Sequence, residues 1–338
     1  MSGVRLPLAL FLGLALLYGI WTPISLSEAV VLTRSEIPLG DVGLSPYSPA
    51  YLLVLHLWSG ISMEAPWLRL LSIAMAGIGL LLVGRVFRGL GGTHASSGAA
   101  WILALSPFFI AQMISVSPSA LAFLVITVEL LCFLEYLRAG ESRWLLAWMA
   151  AALISLLVHG GLYYLILALC LGMLLYRNRY DTRQRFWWLA QLPPLGLFLL
   201  LSGAQFERFV RHRISQISEP SVVAAQWNSL GSGAGTAQGL TGPLPLLAGL
   251  LLAVLVATGI VICRDSRRDP RHGLLALGAL VPSIVWLLWL PHDFYAVAAL
   301  PFLAVLASMG VRSYPRWGRQ LAWAALGVIY ATAHWFAL

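Results

Sequence analysis

Long apolar segments separated by short arginine-bearing loops constrain this chain more than any other feature. A helix needs about 20 apolar residues to cross a bilayer. Segments of 16 to 21 residues that approach or meet this length recur from one end of the chain to the other. They predict an all-α polytopic membrane protein with about 11 transmembrane helices, at residues 6–26, 66–84, 97–114, 118–137, 144–159, 160–176, 186–204, 243–263, 273–290, 294–311 and 320–337.

Composition leaves little room for anything besides these segments. Charged residues make up 10% of the chain, whereas soluble domains carry about 25%. We therefore expect residues 1–338 to form a single transmembrane domain, in the inner membrane of a bacterium. The longest polar stretches are two loops at 27–65 and 205–242, and we expect juxtamembrane helices in the first.

The arginines predict the orientation of the spans. All 21 basic residues are arginine. With the N-terminus in the cytoplasm, sixteen of them fall in cytoplasmic segments and five in outer segments. This is the bias that the positive-inside rule requires, so we predict a cytoplasmic N-terminus, an outer C-terminus and both long loops outside. The net charge of +8 then reflects topology and not nucleic-acid binding.

The first outer loop carries the candidate catalytic residues. Glu28 directly follows the first span, where a carboxylate can act as a general base towards an acceptor hydroxyl. With Asp41 it can instead hold a divalent cation, such as Mg or Mn, because hard cations prefer carboxylate oxygens. The alternative is that Glu28 is an ordinary exposed acid facing solvent.

The second outer loop carries a candidate phosphate site. Apolar residues at helical spacing over residues 206–217 predict an amphipathic helix on the membrane surface, followed by a Gly-rich segment. Arg208, Arg211 and Arg213 lie on its polar side and are suited to clamp a phosphate or pyrophosphate. A cationic face touching anionic lipid is an equal alternative.

The predicted topology brings further polar residues to one level at the outer membrane face. Such a coincidence suggests a shared cavity, whose members are Glu28, Ser115, Ser117, His159, His292 and Asp293. Glu129 is different, because it lies well inside a span. An intramembrane carboxylate is by default a functional candidate, and its alternatives are a protonated or paired core residue or a contact to another subunit.

The order of several short motifs resembles the GT-C membrane glycosyltransferases, in particular the dolichyl-phosphate-mannose and aminoarabinose transferase-like group. An acid follows the first span as Glu28, and Pro49 and Tyr51 stand in a Pro-rich stretch. The matching runs after it are Leu55-His56-Leu57-Trp58, Arg69-Leu70 with Ser72, and Ser106-Pro107. The match extends over about residues 1–176.

The resemblance implies that a sugar passes, with inversion, from a polyprenyl-phosphate carrier to an acceptor at the outer membrane face. Glu28, with Asp41, is then the base or the acceptor-positioning group. The implied contacts to substrate or phosphate are Arg69, Arg208, Arg211, Arg213, His56, His159, His292 and Asp293.

The chain also departs from the family pattern. Ser27-Glu28 replaces the usual Asp-Glu, the segment after the third span carries no charge, and Asp293-Phe294 replaces an expected Arg-Tyr. The alternative is therefore a catalytically inactive GT-C-like scaffold subunit in a larger membrane complex. Membrane lipid, and protein partners within such a complex, are the partners to expect, with no nucleic acid.

Overall fold

The computed structural model describes residues 2–21, 28, 31, 48–159, 162, 165–170, 181–200, 224, 227, 243–265, 270–288 and 293–337, and the regular structure in these ranges is helical. The helices are α1 (Ser2–Trp21), α2 (Pro49–Ser59), α3 (Ala65–Leu105), α4 (Pro107–Ile114), α5 (Ser119–Ala139), α6 (Ser142–Val158), α7 (Asp181–Ala190), α8 (Pro243–Asp265), α9 (Pro270–Leu288), α10 (Asp293–Ser313) and α11 (Arg316–Ala337).

Helix α3 consists of two arms joined at Gly92. The first arm is Ala65–Gly89 and the second is Gly92–Leu105. Gly92 has φ 80° and ψ 175°, a conformation that glycine adopts without the steric cost of a Cβ atom. The chain reverses there, so the two arms correspond to the second and third predicted spans.

Two described helices are long and apolar enough to cross a membrane unaided, the first arm of α3 and α5. The second arm of α3 and α4 qualify together, although they are bent by 68°. The span predicted over 97–114 is therefore bent, either as a broken span or as a re-entrant segment. Many large apolar side chains outside the core are exposed, as expected for helices that face lipid. The architecture is that of an α-helical membrane protein.

The bend follows from Ser106 and Pro107. Ser106 has extended dihedral angles and caps α4, because its Oγ accepts a hydrogen bond from the backbone N–H of Phe109 at 3.3 Å. Proline is favoured in the first turn of a helix, where its missing N–H is no loss. The Ser-Pro pair thus ends one helix and starts the next at a new angle.

Aromatic rings fill the interior between α1, α4 and α5. Phe109 contacts Phe11 with ring centroids 5.7 Å apart and Phe123 at 4.9 Å, and all three are fully buried. The Phe109–Phe123 pair is edge-to-face, and such a pair adds about 0.5–1.5 kcal/mol to the stabilisation from burial of its surface. The packing holds the bent segment against α1, the helix that precedes Glu28.

The last helix is tied to the first by a histidine. Tyr18 Oη lies 2.7 Å from His334 Nδ1, and His334 Nε2 lies 3.0 Å from the carbonyl oxygen of Leu105. Since a carbonyl only accepts, Nε2 carries the proton and Tyr18 donates to Nδ1. The contact connects α1, α3 and α11, so His334 is a helix–helix hydrogen-bonding group.

Tryptophans near the span ends have two different environments. Trp58 and Trp67 stack with centroids 4.7 Å apart, and each indole N–H donates to the other's carbonyl oxygen. This pair fastens α2 to the start of α3. Tryptophans at span ends commonly form an interfacial aromatic belt, but Trp187 is fully buried, with its ring centroid 4.2 Å from that of Trp148.

Candidate functional site

Glu28 and Arg69 form a buried ion pair where α3 begins. Arg69 Nε donates to Glu28 Oε1 at 3.0 Å and Nη2 donates to Oε2 at 2.8 Å. Each residue is 3% exposed. This two-point geometry is the strongest form of a guanidinium–carboxylate contact. Glu28 is therefore a buried, oriented carboxylate, and the alternative of a solvent-facing loop acid is wrong.

Two backbone groups complete the surroundings of the pair. Arg69 Nη1 donates to the carbonyl oxygen of Gly19 at 3.0 Å, and the N–H of Val116 donates to Glu28 Oε1 at 3.0 Å. Gly19 lies near the end of α1, and Val116 lies in the break between α4 and α5. The pair thus holds together the ends of three helical regions, and it brings Glu28 to the same level as the Ser115–Ser117 turn.

Buried hydroxyl groups adjoin the ion pair. Tyr51, at the start of α2, is 1% exposed, and Ser72, one turn after Arg69, is fully buried. Burial raises the pKa of the Tyr51 phenol; the Ser72 hydroxyl lowers it, and the charge of Glu28 raises it further. Neither hydroxyl has a hydrogen-bond partner of standard geometry among the described residues. Buried polar groups are normally paired, so these hydroxyls are suited to face a ligand or water.

Ser48 gives α2 an unusual start. Its backbone has φ 38° and ψ 62°, the left-handed region, and its Oγ is a further buried hydroxyl without a partner in the described part of the chain. Serine rarely adopts this conformation, and such outliers cluster at functional sites. The backbone conformation of Ser48 at the start of α2 is therefore held by tertiary contacts, since serine does not favour it locally.

The remaining predicted residues divide into two groups. His56 lies half-buried on α2, His159 is the C-cap of α6, and Asp293 begins α10. Those that lie outside the described residues are Asp41, Arg208, Arg211, Arg213 and His292. The proposed phosphate clamp and the partner carboxylate for a cation thus remain predictions.

The divalent-cation site predicted from the sequence consists of Glu28 and Asp41. No cluster of three or more His, Cys, Asp or Glu side chains occurs among the residues that the structure describes. Both oxygens of Glu28 accept hydrogen bonds from Arg69, so a guanidinium holds the place where a cation would bind. The described residues therefore fit a positioned carboxylate better than a divalent-metal site.

Sequence reasoning missed the pairing of Glu28 with Arg69 and the hydroxyls beside it. Tyr51 and Ser72 were recognised only as positions in a pattern, and Arg69 as a contact to substrate or phosphate. Arg69 binds Glu28 directly, and Tyr51 lies near that carboxylate with Ser72 beside the Tyr51 hydroxyl, which supplies a physical reason for the pattern. One signal could have predicted that these three residues lie together. All three are polar residues near the starts of two successive helices.

Glu129 forms a second buried polar position, in the middle of α5. It is fully buried, and neither carboxyl oxygen has a hydrogen-bond partner among the described residues. The indole N–H groups of Trp148 and Trp187 also lack acceptors within the described ranges. Unpaired buried polar groups destabilise a fold by about 1–3 kcal/mol each.

We expect Glu129→Met to raise the thermal unfolding temperature in detergent, because methionine fills the same space without a polar group. The exposed Glu141→Gln exchange serves as the control and is expected to leave that temperature unchanged. A lower unfolding temperature for Glu129→Met would mean that this carboxyl group is paired, either with the nearby Ser155 hydroxyl or with a residue outside the described ranges.

Comparisons with known proteins find the fold in solved structures. No protein-family model and no curated protein matches the chain. ArnT from Cupriavidus metallidurans bound to undecaprenyl phosphate is 14% identical with a TM-score of 0.62, covering 95% of this chain and 61% of that one. The Archaeoglobus fulgidus oligosaccharyltransferase in the apo form is 11% identical with a TM-score of 0.60, covering 99% and 55%.

This chain thus spans about three fifths or less of the length of those structures. Both are GT-C glycosyltransferases, and the alignments extend over nearly all of the present chain. At such identities the likeness concerns the fold alone. The chain has a membrane fold like that of the GT-C glycosyltransferases.

Proposed function

We propose that this protein transfers a sugar from a polyprenyl-phosphate carrier to an acceptor at the outer membrane face. The observation that carries the proposal is the buried Glu28–Arg69 pair in a GT-C-like fold, with the buried hydroxyls of Tyr51 and Ser72 beside it. Removing two charges from water is costly. An ionised pair kept at the end of membrane helices is therefore a functional candidate by default.

The proposed reaction assigns separate roles to the two charged groups. The acceptor oxygen attacks the anomeric carbon as the bond from that carbon to the carrier phosphate breaks, and the sugar configuration inverts. Glu28 orients the acceptor and takes its proton, while Arg69 and Val116 hold the carboxylate in place. The leaving group is the polyprenyl phosphate, whose charge we assign to Arg208, Arg211 and Arg213.

A solved neighbour supports the choice of carrier. ArnT from Cupriavidus metallidurans has been solved with undecaprenyl phosphate bound. A carrier of this class needs an apolar surface for its chain and cationic groups for its phosphate. Lipid-facing helices provide the first, and the arginine-bearing loop at 205–242 is proposed to provide the second.

The test uses undecaprenyl-phosphate-linked radiolabelled sugars and proteoliposomes that contain the protein. We expect Glu28→Gln to lower release of undecaprenyl phosphate by about 100-fold or more, the usual effect of losing a general base. Glu64→Gln, an exposed carboxylate change at the start of α3, is the matched control and should leave release unchanged. Full activity of Glu28→Gln would rule out the assigned role.

A second function has its own supporting observation. Glu28 and Arg69 neutralise each other and are almost fully buried, an arrangement that also suits a structural clasp in a catalytically inactive scaffold. After gentle solubilisation of the membrane, such a subunit would be recovered in a stoichiometric complex with its partner proteins. Mass measurement of the solubilised particle distinguishes the two, because the enzyme proposal requires carrier binding and the scaffold proposal requires a protein partner.

A further inference from the structure

A cavity of about 550 Å³ lies between the second arm of α3, the end of α10 and the first half of α11. Its volume is in the range of small-molecule sites, roughly 300–1,000 Å³. None of the described residues assigned to sugar transfer lines it. A ligand of this cavity would therefore contact a different set of residues.

The opening of the cavity lies at the opposite end of the helices from the Glu28–Arg69 pair. The first arm of α3 runs from near Arg69 to Gly89, and twenty helical residues span about 30 Å. His94, at the opening, follows shortly after Gly92, and the chain folds back there, because Ser96 Oγ donates to the carbonyl oxygen of Gly84 at 2.8 Å. By the arginine distribution, this is the end predicted to face the cytoplasm. The deep end reaches Leu105, whose carbonyl oxygen lies 3.0 Å from His334 Nε2, so only the opening is remote from the proposed outer-face chemistry.

The open end of the cavity is cationic. His94, Arg312 and Arg319 line it and are all exposed. No ion pair between described residues includes Arg312 or Arg319, and no acidic side chain lines the cavity. Two guanidinium groups beside one opening match the oxygen geometry of a phosphate group.

The deeper walls are apolar and aromatic. Trp101 and Trp323 face the cavity, and Leu105 and Tyr330 lie at its far end. From His94 to Leu105 the second arm of α3 rises about 16 Å, which is the reach of a substantial part of an acyl chain. A cationic opening above an apolar slot therefore fits an amphiphile with an anionic head.

We propose that this cavity binds one anionic phospholipid, with its phosphate between Arg312 and Arg319 and one acyl chain along Trp101 and Trp323. Charge complementarity selects the head group, because phosphate oxygens accept from guanidinium N–H groups. The apolar and aromatic walls of the cavity contact the acyl chain through close packing. Free phosphate shares the head-group chemistry but fills only the opening.

Native mass spectrometry of the full-length protein in detergent tests the charge requirement, with phosphatidylglycerol as the probe and phosphatidylcholine as the comparison lipid. We expect one retained phosphatidylglycerol and at least about tenfold weaker binding in Arg312→Gln/Arg319→Gln, because each charged hydrogen bond contributes about 1.5–3 kcal/mol. Arg316→Gln is the matched control, since Arg316 is an exposed arginine on the same helix that does not line the cavity.

A second variant tests the acyl slot without changing charge. Gly327 lines the cavity, and a Cβ atom placed there meets nothing within 4 Å. Gly327→Leu should therefore fill the slot without disturbing the backbone, and should lower phosphatidylglycerol retention by about tenfold. Gly13→Leu on α1, also in open space but away from the cavity, should leave retention unchanged.

Three results would overturn the proposal. One is equal retention of phosphatidylglycerol and phosphatidylcholine. Another is an equal loss in Arg316→Gln and in the double variant, which would indicate a diffuse cationic surface. The third is evidence that the acyl chain has no role, given either by full retention in Gly327→Leu or by complete displacement of the lipid by excess inorganic phosphate. Glu64→Gln, an exposed change outside both sites, should not alter retention, and no lining residue is assigned to sugar transfer, so this test is independent of that proposal.

Discussion

Glu28→Gln is expected to lower the unfolding free energy more than any other single exchange of a charged residue in the described part of the chain. It leaves the Arg69 guanidinium buried at 3% exposure without a counter-charge. Removing one partner of a buried pair costs about 3–5 kcal/mol, a large fraction of the 5–15 kcal/mol that stabilises a typical protein. The measurement is the thermal unfolding temperature of the purified protein in detergent.

The double variant Glu28→Gln/Arg69→Gln separates stability from chemistry. Its two amides can still accept from Val116 and donate to Gly19, and no uncompensated charge remains. We therefore expect it to unfold at a higher temperature than either single variant, as for other buried pairs replaced by neutral groups. Arg85→Gln is the control for arginine loss, because Arg85 is 63% exposed and lies 3.5 Å from Glu135.

Sugar transfer by the same double variant distinguishes a reacting carboxylate from a structural clasp. If Glu28 takes the proton, the double variant regains stability but does not transfer sugar. If the pair only holds helix ends together, the double variant regains both stability and sugar transfer. A double variant that is no more stable than Glu28→Gln would contradict the ion-pair account itself.

Gly310→Ala is the second exchange with a large expected effect. A Cβ atom at Gly310 would overlap the carbonyl oxygen of Leu255 on α8, and one at Gly259 would overlap that of Leu306 on α10. The two helices thus meet backbone to backbone at two reciprocal glycines. Small residues at such crossings let membrane helices approach closely, where van der Waals contact replaces the hydrophobic effect.

We expect Gly310→Ala to lower the unfolding free energy by about 3 kcal/mol, the upper part of the range for overpacked interiors, because backbone atoms cannot move aside as a side chain can. Gly13→Ala, which adds a methyl group in open space, should be neutral or slightly stabilising, since alanine favours helix more than glycine does. Equal unfolding temperatures for the two variants would show that α8 and α10 do not pack as closely as described.

The chain of apolar spans and arginine loops predicted the helical architecture, because span length and loop charge are properties of local sequence. The level shared by Glu28 and the Ser115–Ser117 turn followed from counting spans, and the bond from Val116 to Glu28 confirms it. The topology itself, cytoplasmic N-terminus and outer C-terminus, stays a prediction.

The bend at Ser106 and the partner of Glu28 did not follow from the sequence. A Ser-Pro pair inside an apolar run predicts a helix boundary, yet the apolar run continues and favours a single span. Glu28 and Arg69 are 41 residues apart. Local patterns place charges on a membrane face but do not select which of several arginines reaches a given carboxylate.

The most direct test of the central claim is the binding of undecaprenyl phosphate to the Arg312→Gln/Arg319→Gln variant, in which the proposed phospholipid cavity is disabled. Native mass spectrometry is predicted to show one bound undecaprenyl phosphate, and further exchange of Arg208, Arg211 and Arg213 to Gln is predicted to remove it. Retention no stronger than that of phosphatidylcholine, in a protein that remains folded, would contradict the proposal that this GT-C-like fold uses a polyprenyl-phosphate carrier.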